Sequence, residues 1–207
     1  MTRQSRRDGD ATRERLLLTA LALYTTTGFL RTTTPALSAQ AGVAEGTIYR
    51  HFSSKEHLLN EAYRRAQRWA LGLLEALEAD RVRRAPERLT TLARQITDTA
   101  ATDAPLVRMF FGDGQEPFLD EPSKGEARAV LERLVGLVAM GKSDGQVRAG
   151  PAELWASVWL TIVGFVAERV AAGDWPADSA TVTMALEAAW DAISTRSQST
   201  PLVPGSA

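Results

Sequence analysis

The chain has 207 residues, of which 44% are hydrophobic and 24% are charged, and its formal net charge is −1. These values predict an ordinary soluble globular protein that buries one large core or two small ones. Because the chain contains no cysteine, a disulfide framework, a thiolate nucleophile and a cysteine-type zinc site are all excluded.

Apolar residues recur with helical spacing along most of the chain, and no stretch alternates convincingly with period two. We therefore predict an all-α fold. The first helix is expected to begin with Asp10 as its N-cap and to end at Gly28, where a left-handed residue would stop it. Its apolar stripe is Leu16, Leu17, Ala20, Leu21 and Tyr24.

Two short helices are predicted next, one from Thr34 to the residue before Gly42 and one from about Ala44 to residue 51 or 52. Gly42 allows the backbone conformation that a tight turn needs, and Val43 is expected to fill the core between the helices. Such a pair is a helix-turn-helix, and its second helix has the size to enter the major groove of DNA.

A long fourth helix is predicted over residues 55–80, with Ser53 and Glu56 forming a capping box at its start. Residues 112–122 form the clearest loop. Further helices are expected to begin near Pro86, Ala104, Ser123, Pro151 and Asp178. The predicted organisation is a helix-turn-helix domain at 1–54, a connecting helix at 55–80, a helical domain at 81–196 and a disordered tail at 197–207.

Residues 28–59, GFLRTTTPALSAQAGVAEGTIYRHFSSKEHLL, resemble the DNA-binding domain of the TetR (tetracycline-repressor-like) family of transcriptional regulators. Thr-Thr, Ala-Gly-Val, Gly-Thr-aliphatic-Tyr-x-His-Phe and Ser-Lys-Glu occur in order and at the family's spacing. The resemblance implies an N-terminal three-helix helix-turn-helix DNA-binding domain followed by a helical ligand-binding and dimerisation domain. It is specific over this segment, whereas the remainder of the chain matches the family only in length, helicity and position.

The distribution of charge agrees with a DNA-binding N-terminal end. Residues 1–68 carry 11 Lys and Arg against 6 Asp and Glu, while residues 69–207 carry 13 against 19. A basic end on an acidic remainder is typical of a protein that meets a polyanion at one end. A chance imbalance over solvated faces is the alternative.

Three residues are expected to meet DNA phosphates because the resemblance implies it: Lys55, Tyr49 and His51. The alternatives are a solvated lysine, a core tyrosine and a histidine that only packs between helices. Two further residues, Thr33 and Thr34, either cap the second helix or also bond a phosphate.

Arg50, Thr47 and Glu45 are the candidates for the recognition of base edges. Arginine suits the paired acceptors of guanine, and the methyl group of threonine suits thymine. Arg50 contacting a phosphate is the alternative, and Glu45 is expected to cap and orient its own helix, whose positive N-terminus favours a carboxylate. The predicted DNA-binding set is Thr33, Thr34, Glu45, Gly46, Thr47, Tyr49, Arg50, His51 and Lys55.

Two positions depart from the family's common pattern. Ala44 stands where a serine usually caps the recognition helix, and Pro35 stands where several relatives present a polar DNA contact. Both are expected to weaken or redirect binding at that point. Upstream, Arg3, Arg6 and Arg7 either add DNA contacts or form a disordered basic tail.

Enzyme chemistry finds little support in the motifs. Residues 136–143, GLVAMGKS, fit the Walker A pattern, but phosphate binding there needs a preceding strand, and the segment is predicted to continue a helix. Gly141 as a helix C-cap and Lys142 near the negative end of that helix explain the same residues without phosphate binding. His51 and His57 would face different ways on two helices, so we predict no metal site, no cofactor and no enzyme. A helical small-molecule-binding protein or enzyme without DNA binding is the alternative.

The remainder of the chain is expected to bind an effector and to pair two chains. Residues 153–173 and 181–193 form helices too apolar for the surface of a monomer, and the resemblance implies that the last two helices make a four-helix dimer interface. The predicted interface is Trp155, Trp159, Ile162, Val166, Met184 and Ala188. The predicted pocket is Trp69, Leu73, Met109, Phe110, Phe111, Phe118, Leu137 and Met140, and ordinary core packing is the alternative for both sets.

The function predicted from these patterns is a homodimeric repressor that a small apolar or aromatic effector releases from a palindromic double-stranded DNA operator. The most apolar stretch, residues 154–167, is short and is followed by Glu168. We therefore expect no membrane span and a cytoplasmic protein.

Overall fold

The computed structural model describes residues 3–79 and 84–195. These residues form α-helices and one 3₁₀ turn, Glu116–Phe118, without any β-strand, which confirms the all-α fold. The helices are α1 Arg3–Thr26, α2 Thr34–Ala41, α3 Glu45–His51, α4 Lys55–Ala79, α5 Ala85–Thr102, α6 Ala104–Phe111, α7 Glu121–Ser143, α8 Ala152–Ala171 and α9 Ala180–Asp191. Residue 80, the predicted tail at 197–207 and the side chains of Arg3 and Arg6 lie outside the described part.

Polar side chains and prolines mark the helix starts. Thr33 Oγ1 accepts a hydrogen bond from the N–H of Ala36 at 3.3 Å before α2, and Asp120 Oδ1 accepts one from the N–H of Ser123 at 2.9 Å before α7. Each bond satisfies a backbone donor that has no partner within its helix. The prolines of the first turns, where a missing N–H is harmless, are Pro35, Pro86, Pro105 and Pro122.

The cap of α4 differs from the predicted capping box of Ser53 and Glu56. Ser54 is the capping residue, because its Oγ accepts a hydrogen bond from the N–H of His57 at 3.0 Å. The Nδ1 atom of His57 in turn accepts a hydrogen bond from the N–H of Ser53 at 3.1 Å. The imidazole thus makes the reciprocal bond that was expected from a glutamate.

Three predicted boundaries need correction. Asp10 lies inside α1 and does not cap it, and α7 begins at Glu121 because Asp120 caps it there. Gly141 does not end α7, which continues to Ser143. A side chain at position 141 would lie 2.9 Å from the Cβ of Ala85, so this glycine allows α7 and the start of α5 to pack closely.

Residues 136–143, which fit the Walker A pattern, all lie within α7. Helical N–H groups are bonded along the helix, so they cannot surround a phosphate as a glycine-rich loop does. The Nζ atom of Lys142 donates to the carbonyl oxygen of Gly150 at 2.6 Å, beyond the helix end. The geometry therefore supports the reading of this segment as a helix end.

Helices α1 to α4 share an N-terminal core that α6 completes. Leu16 and Leu21 of α1 pack with Ile48 of α3 and Leu58 of α4, and Met109 of α6 is buried in the same cluster. Helices as short as α2 and α3, with 8 and 7 residues, are unstable alone. Each buried aliphatic side chain contributes about 1.5–3 kcal/mol, and this packing holds both helices in place.

The second core lies among the later part of α4 and helices α5, α7, α8 and α9, with Trp159 of α8 buried at its centre. By length and composition α8 could cross a membrane, which corrects the expectation that no stretch is long enough. In this fold α8 packs against α5, α7 and α9, as a core helix does.

One buried arginine joins the two cores. The Nη1 atom of Arg64 on α4 donates to both carboxylate oxygens of Asp120, at 2.9 and 3.0 Å, and to Ser123 Oγ at 3.0 Å. Its Nη2 atom donates to Glu61 at 2.6 Å, and Glu61 also accepts from Arg13 of α1 at 2.6 Å. This network fixes the start of α7 against α4 and α1.

Asn60, one turn before Arg64, strengthens the same junction. Its side-chain oxygen accepts a hydrogen bond from the N–H of Asp120 at 2.8 Å, and its amide donates to the carbonyl oxygen of Phe118 at 2.9 Å. Because Asn60 is only 3% exposed, these bonds satisfy polar groups that water cannot reach. The 3₁₀ turn is thereby attached to α4 just below the helix-turn-helix.

Candidate nucleic-acid interface

The turn between α2 and α3 has the geometry that was predicted for it. Gly42 has a φ of 63°, a left-handed conformation that favours glycine, and its N–H donates to the carbonyl oxygen of Ala39. The N–H of Val43 donates to the carbonyl oxygen of Ser38 at 3.0 Å. Val43 is half-buried against the N-terminal core, and this packing sets the angle at which α3 leaves the turn.

Helix α3 has one buried face and one exposed face. Ile48 is 1% exposed, and Phe52, one turn later, is 1% exposed. The opposite face places Glu45, Gly46, Tyr49 and Arg50 in solvent, with Thr47 half-buried beside them. Of the three predicted base-reading residues, Glu45 and Arg50 therefore lie on the outward side of α3 and Thr47 lies beside it.

The ends of α3 carry charges that suit its dipole. Ala44 makes no side-chain cap, as its departure from the family pattern suggested, while Glu45 lies in the first turn and Arg50 lies in the last. A carboxylate near the positive N-terminus and a cation near the C-terminus each stabilise a helix by about 0.3–1 kcal/mol. This arrangement supports a cap-and-orient role for Glu45.

Tyr49 connects α3 with the start of α2. Its hydroxyl lies 3.4 Å from the Oγ1 atom of Thr34, and its side chain is among the exposed large ones, at 54%. The alternative of a core tyrosine is therefore wrong. Thr33 is exposed next to this pair, so three predicted phosphate-binding hydroxyl groups gather where α2 begins.

Lys55 is held more firmly than the sequence suggests. Its Nζ atom donates to the carbonyl oxygens of Phe29 and Thr32, both at 3.0 Å, and lies 4.2 Å from the centre of the Phe29 ring. The alternative of a solvated lysine is therefore wrong. An ammonium group has three N–H donors, so one remains for a phosphate while two hold the α1–α2 loop.

His51 is half-buried, and its ring centre lies 6.5 Å from that of Phe52. Its side chain makes no hydrogen bond with the described residues, so either a phosphate contact or packing remains open. Arg31, which was not in the predicted set, is exposed in the loop just before Thr33.

Comparisons with known proteins address the same segment. The family model for bacterial regulatory proteins of the tetR family matches residues 16–62, from α1 into α4. An uncharacterized HTH-type transcriptional regulator of Bacillus subtilis (strain 168), YerO, is 30% identical over 84 residues, which are 41% of this chain and 28% of YerO. The match thus spans less than a third of that relative.

Solved structures extend the similarity to the rest of the fold. A TetR family protein from Vibrio parahaemolyticus is 27% identical, with a TM-score of 0.66 over 89% of this chain and 100% of that one. A TetR family transcription regulator from Marinobacter aquaeolei VT8 reaches a TM-score of 0.78 over 92% of this chain and 100% of that one, and at 19% identity it shows the fold alone. Residues 16–62 therefore match the DNA-binding domain of TetR-family transcriptional regulators, and the whole fold is similar to solved members of that family.

The predicted pocket residues do not line one cavity. Phe111 lines a cleft of about 1120 Å³ beside α8, whereas Leu137 and Met140 line a groove of about 180 Å³ between α4, α5 and α7. Met109 is fully buried in the N-terminal core, and Phe118 packs on Phe29 at a ring distance of 4.8 Å. Half-buried at the edge of the second core are Trp69, Leu73 and Phe110.

The predicted dimer interface also needs correction. Trp159 and Val166 are at most 1% exposed inside the protomer, so neither side chain can face a second chain. Trp155 and Ile162 are half-buried, while Met184 and Ala188 of α9 are exposed. Leu154 and Phe165, which were not in the predicted set, are 49% and 56% exposed on the outer face of α8.

Proposed function

We propose that this TetR-family regulator is a cytoplasmic, homodimeric repressor, without enzymatic activity, that binds double-stranded DNA and is released by a small effector. The observation that carries the DNA-binding part is the exposed face of α3. The side chains of Thr47 and Arg50 make no hydrogen bond or ion pair with the described residues, while Ile48 anchors the opposite face. A short helix presented in this way fits the major groove.

Within that groove, the side chains divide into two roles. Arg50 and Thr47 are placed to read base edges, because a guanidinium matches guanine and a threonine methyl group matches thymine. Tyr49, Thr34 and Lys55 gather at the start of α2 and at the loop before it, where phosphates would pass. Phosphate contacts fix the position of the protein, and base contacts determine the sequence it prefers.

We propose that the dimer forms through the outer faces of α8 and α9. Leu154 and Phe165 on α8 and Met184 on α9 are exposed large apolar side chains, at 49%, 56% and 61%. Large apolar groups that lie together on the surface favour association, and a twofold axis would bring two copies of each helix into a four-helix contact. Two recognition helices then require a pseudo-palindromic operator with half-sites about 34 Å apart.

For the effector, we propose the groove between α4, α5 and α7. Its walls include Leu74, Leu77, Leu137 and Met140, so it favours an apolar or aromatic ligand. At about 180 Å³ it is smaller than most ligand sites, which reach about 300–1,000 Å³, and a ligand must widen it. Widening would displace α4, whose first turn carries Lys55 at the DNA-binding end.

Release of the operator then follows from linkage. A ligand that prefers the widened state a hundredfold shifts the equilibrium by about 2.7 kcal/mol. By reciprocity, saturating operator DNA must weaken ligand binding by the same factor. Calorimetry with and without operator measures this factor, and an equal ligand affinity in both conditions contradicts release through α4.

The experiment that tests DNA recognition is the selection of bound sequences from random DNA with the purified protein. We expect a pseudo-palindrome. Arg50→Ala should relax the preference at one base pair in each half-site, at a cost of about 1–3 kcal/mol there. Arg128→Ala, which removes an exposed arginine of α7, is the control and should leave the selected sequence unchanged. A uniform loss of affinity for all sequences would assign Arg50 to phosphate binding.

A further inference from the structure

A polar network runs from the start of α7 to the end of α3. Arg64 of α4 donates to both carboxylate oxygens of Asp120, the residue that caps α7, and to Oε1 of Glu61 at 2.6 Å. The other oxygen of Glu61, Oε2, accepts a hydrogen bond from Arg13 of α1, also at 2.6 Å. These four side chains form one continuous series of ion pairs that joins α7, α4 and α1.

The far end of this network lies against the C-terminal end of α3. The guanidinium group of Arg13 lies 5.1 Å from the centre of the ring of Phe52, the C-cap residue of α3. The ring of His57 packs edge-on against the same ring at 5.7 Å, and its Nδ1 atom accepts a hydrogen bond from the N–H of Ser53. The network therefore reaches the turn that joins α3 to α4.

The burial of the network indicates orientation as its role. Arg64 is 8% exposed, so its charge depends on Asp120 and Glu61 in place of water. A buried ion pair often adds little stability compared with apolar side chains of the same size, but it requires each charge to face its partner. An arrangement that separates the partners leaves buried charges without compensation and is disfavoured. The network therefore favours one orientation of α4 against the start of α7.

Small changes in this orientation matter for DNA binding because α4 is long. Its 25 residues span about 37 Å, and a rotation of about 5° around its far end would move its first turn by roughly 3 Å. Successive base pairs of DNA are about 3.4 Å apart along each strand. Helix α7 packs against both α4 and α8, and α8 carries the proposed dimer contact. A rotation of this size would therefore change the distance between the two recognition helices by about one base pair or more.

We propose that Arg64 is a positioning residue that fixes, through Asp120 and Glu61, the spacing of operator half-sites that the dimer accepts. This role rests on the proposed function, because it needs a dimer that binds two half-sites. Arg64 itself is too deeply buried to contact DNA. It acts by holding the helix-turn-helix domain at one angle to the helices that pair the two chains.

The first test compares operators that differ only in half-site spacing. The probes are the sequence selected from random DNA and versions of it with the half-sites one base pair closer together or further apart. Asp120→Asn keeps the cap of α7, since asparagine also caps helices, but removes the charge that faces Arg64. It should reduce the affinity ratio between the preferred and the altered spacing by roughly three- to tenfold. A purely structural loss would lower all affinities by one factor and leave the ratio unchanged.

Further variants test whether the network acts as a unit. Arg13→Gln interrupts it at the other end and should also reduce the ratio, and combining it with Asp120→Asn should add little, because both changes break one network. Arg68→Gln is the matched control. Arg68 pairs with Glu126 at 3.0 Å between the same two helices, but its side chain is 56% exposed, so water replaces this pair and the ratio should not change.

The second test needs no DNA. Because the chain has no cysteine, Gln40→Cys on α2 and Arg128→Cys on α7 provide two exposed sites for spin labels. Mixing with an excess of unlabelled chain leaves only the distance within one protomer. Pulsed electron paramagnetic resonance should give one narrow distance distribution in the parent background and a broader or shifted one with Asp120→Asn.

The proposal is overturned if either the spacing ratio or the distance distribution is the same in Asp120→Asn as in the parent protein. It is also overturned if Arg68→Gln lowers the ratio as much as Asp120→Asn does. A parent protein that binds no DNA would contradict the proposed repressor function instead, and the spin-label distances would then still decide whether Arg64 and Asp120 hold the two domains at one angle.

Discussion

Replacing Lys55 by methionine separates two tasks of one ammonium group. The substitution keeps the apolar stem but removes the positive charge and the two hydrogen bonds to the carbonyl oxygens of Phe29 and Thr32. It also removes the cation above the Phe29 ring. The loop that leads into α2 would lose its main polar anchor.

The size of the effect follows from these contacts. A hydrogen bond with one charged partner contributes about 1.5–3 kcal/mol when buried, and a cation–π contact at an exposed site about 0.5–1 kcal/mol. Because Lys55 is half-exposed, water replaces part of each interaction after its removal, and we expect a loss of about 2 kcal/mol in the free energy of unfolding. For a chain of this length, that corresponds to a fall in Tm of about 4–8 °C.

Denaturant unfolding of the DNA-free protein measures the first task, and the salt dependence of operator binding measures the second. If the third N–H meets a phosphate, Lys55→Met should reduce the slope of log K against log salt by about 0.9. Lys124→Met, at a lysine of α7 that pairs only with Glu121, is the control and should change neither quantity appreciably. Unchanged stability in Lys55→Met would refute the anchoring role derived from the carbonyl contacts.

Three further predictions concern the rest of the fold. Phe165→Glu should shift the dimer to monomer in sedimentation analysis, because a charge would replace an exposed apolar side chain at the proposed interface, and an unchanged dimer would move the contact elsewhere. Although burial alone would raise the pKa values of Glu61 and Asp120, hydrogen bonds from Arg64 and other donors outweigh it and lower both. A carboxylate whose pKa is lower in the folded than in the unfolded chain stabilises the protein above about pH 4, and this stabilisation is lost as the pH falls further. Between pH 6 and pH 3, the free energy of unfolding should therefore fall less steeply with pH in Glu61→Gln than in the parent protein. Lys142→Ala should leave stability and DNA binding within about 1 kcal/mol of the parent, and ATP or GTP binding that this change abolishes would contradict the helical reading of the Walker-like segment.

The helix-turn-helix was predictable because its signals are local. Thr33 caps the start of α2, Gly42 ends the same helix by its own backbone preference, and Ile48 and Phe52 are one helical turn apart. Each signal involves residues within a few positions of one another. Their agreement predicted the bounds of α2 and α3 and the outward face of α3 without knowledge of the rest of the chain.

Partners that are distant in sequence were not predictable in the same way. Lys55 bonds to carbonyl oxygens more than twenty residues earlier, and the bond from Arg64 to Asp120 spans 56 positions. Nothing in the local pattern of a lysine after two serines tells a backbone anchor from a phosphate contact. The fold decides this, because it brings the α1–α2 loop over the first turn of α4.

Helix α8 shows the physical limit most directly. In an amphipathic helix the apolar side identifies the buried face. Helix α8 has apolar residues all around, so its sequence does not predict which face packs against the core. Trp159 and Val166 were predicted to lie at the dimer interface, but both are buried in the core of the protomer. What settles the orientation is the closure of the second core by α5, α7 and α9, which leaves Phe165 outside. Exposed large apolar side chains are the features that a second chain would bury, and the interface proposal therefore rests on Leu154 and Phe165 of α8 and Met184 of α9.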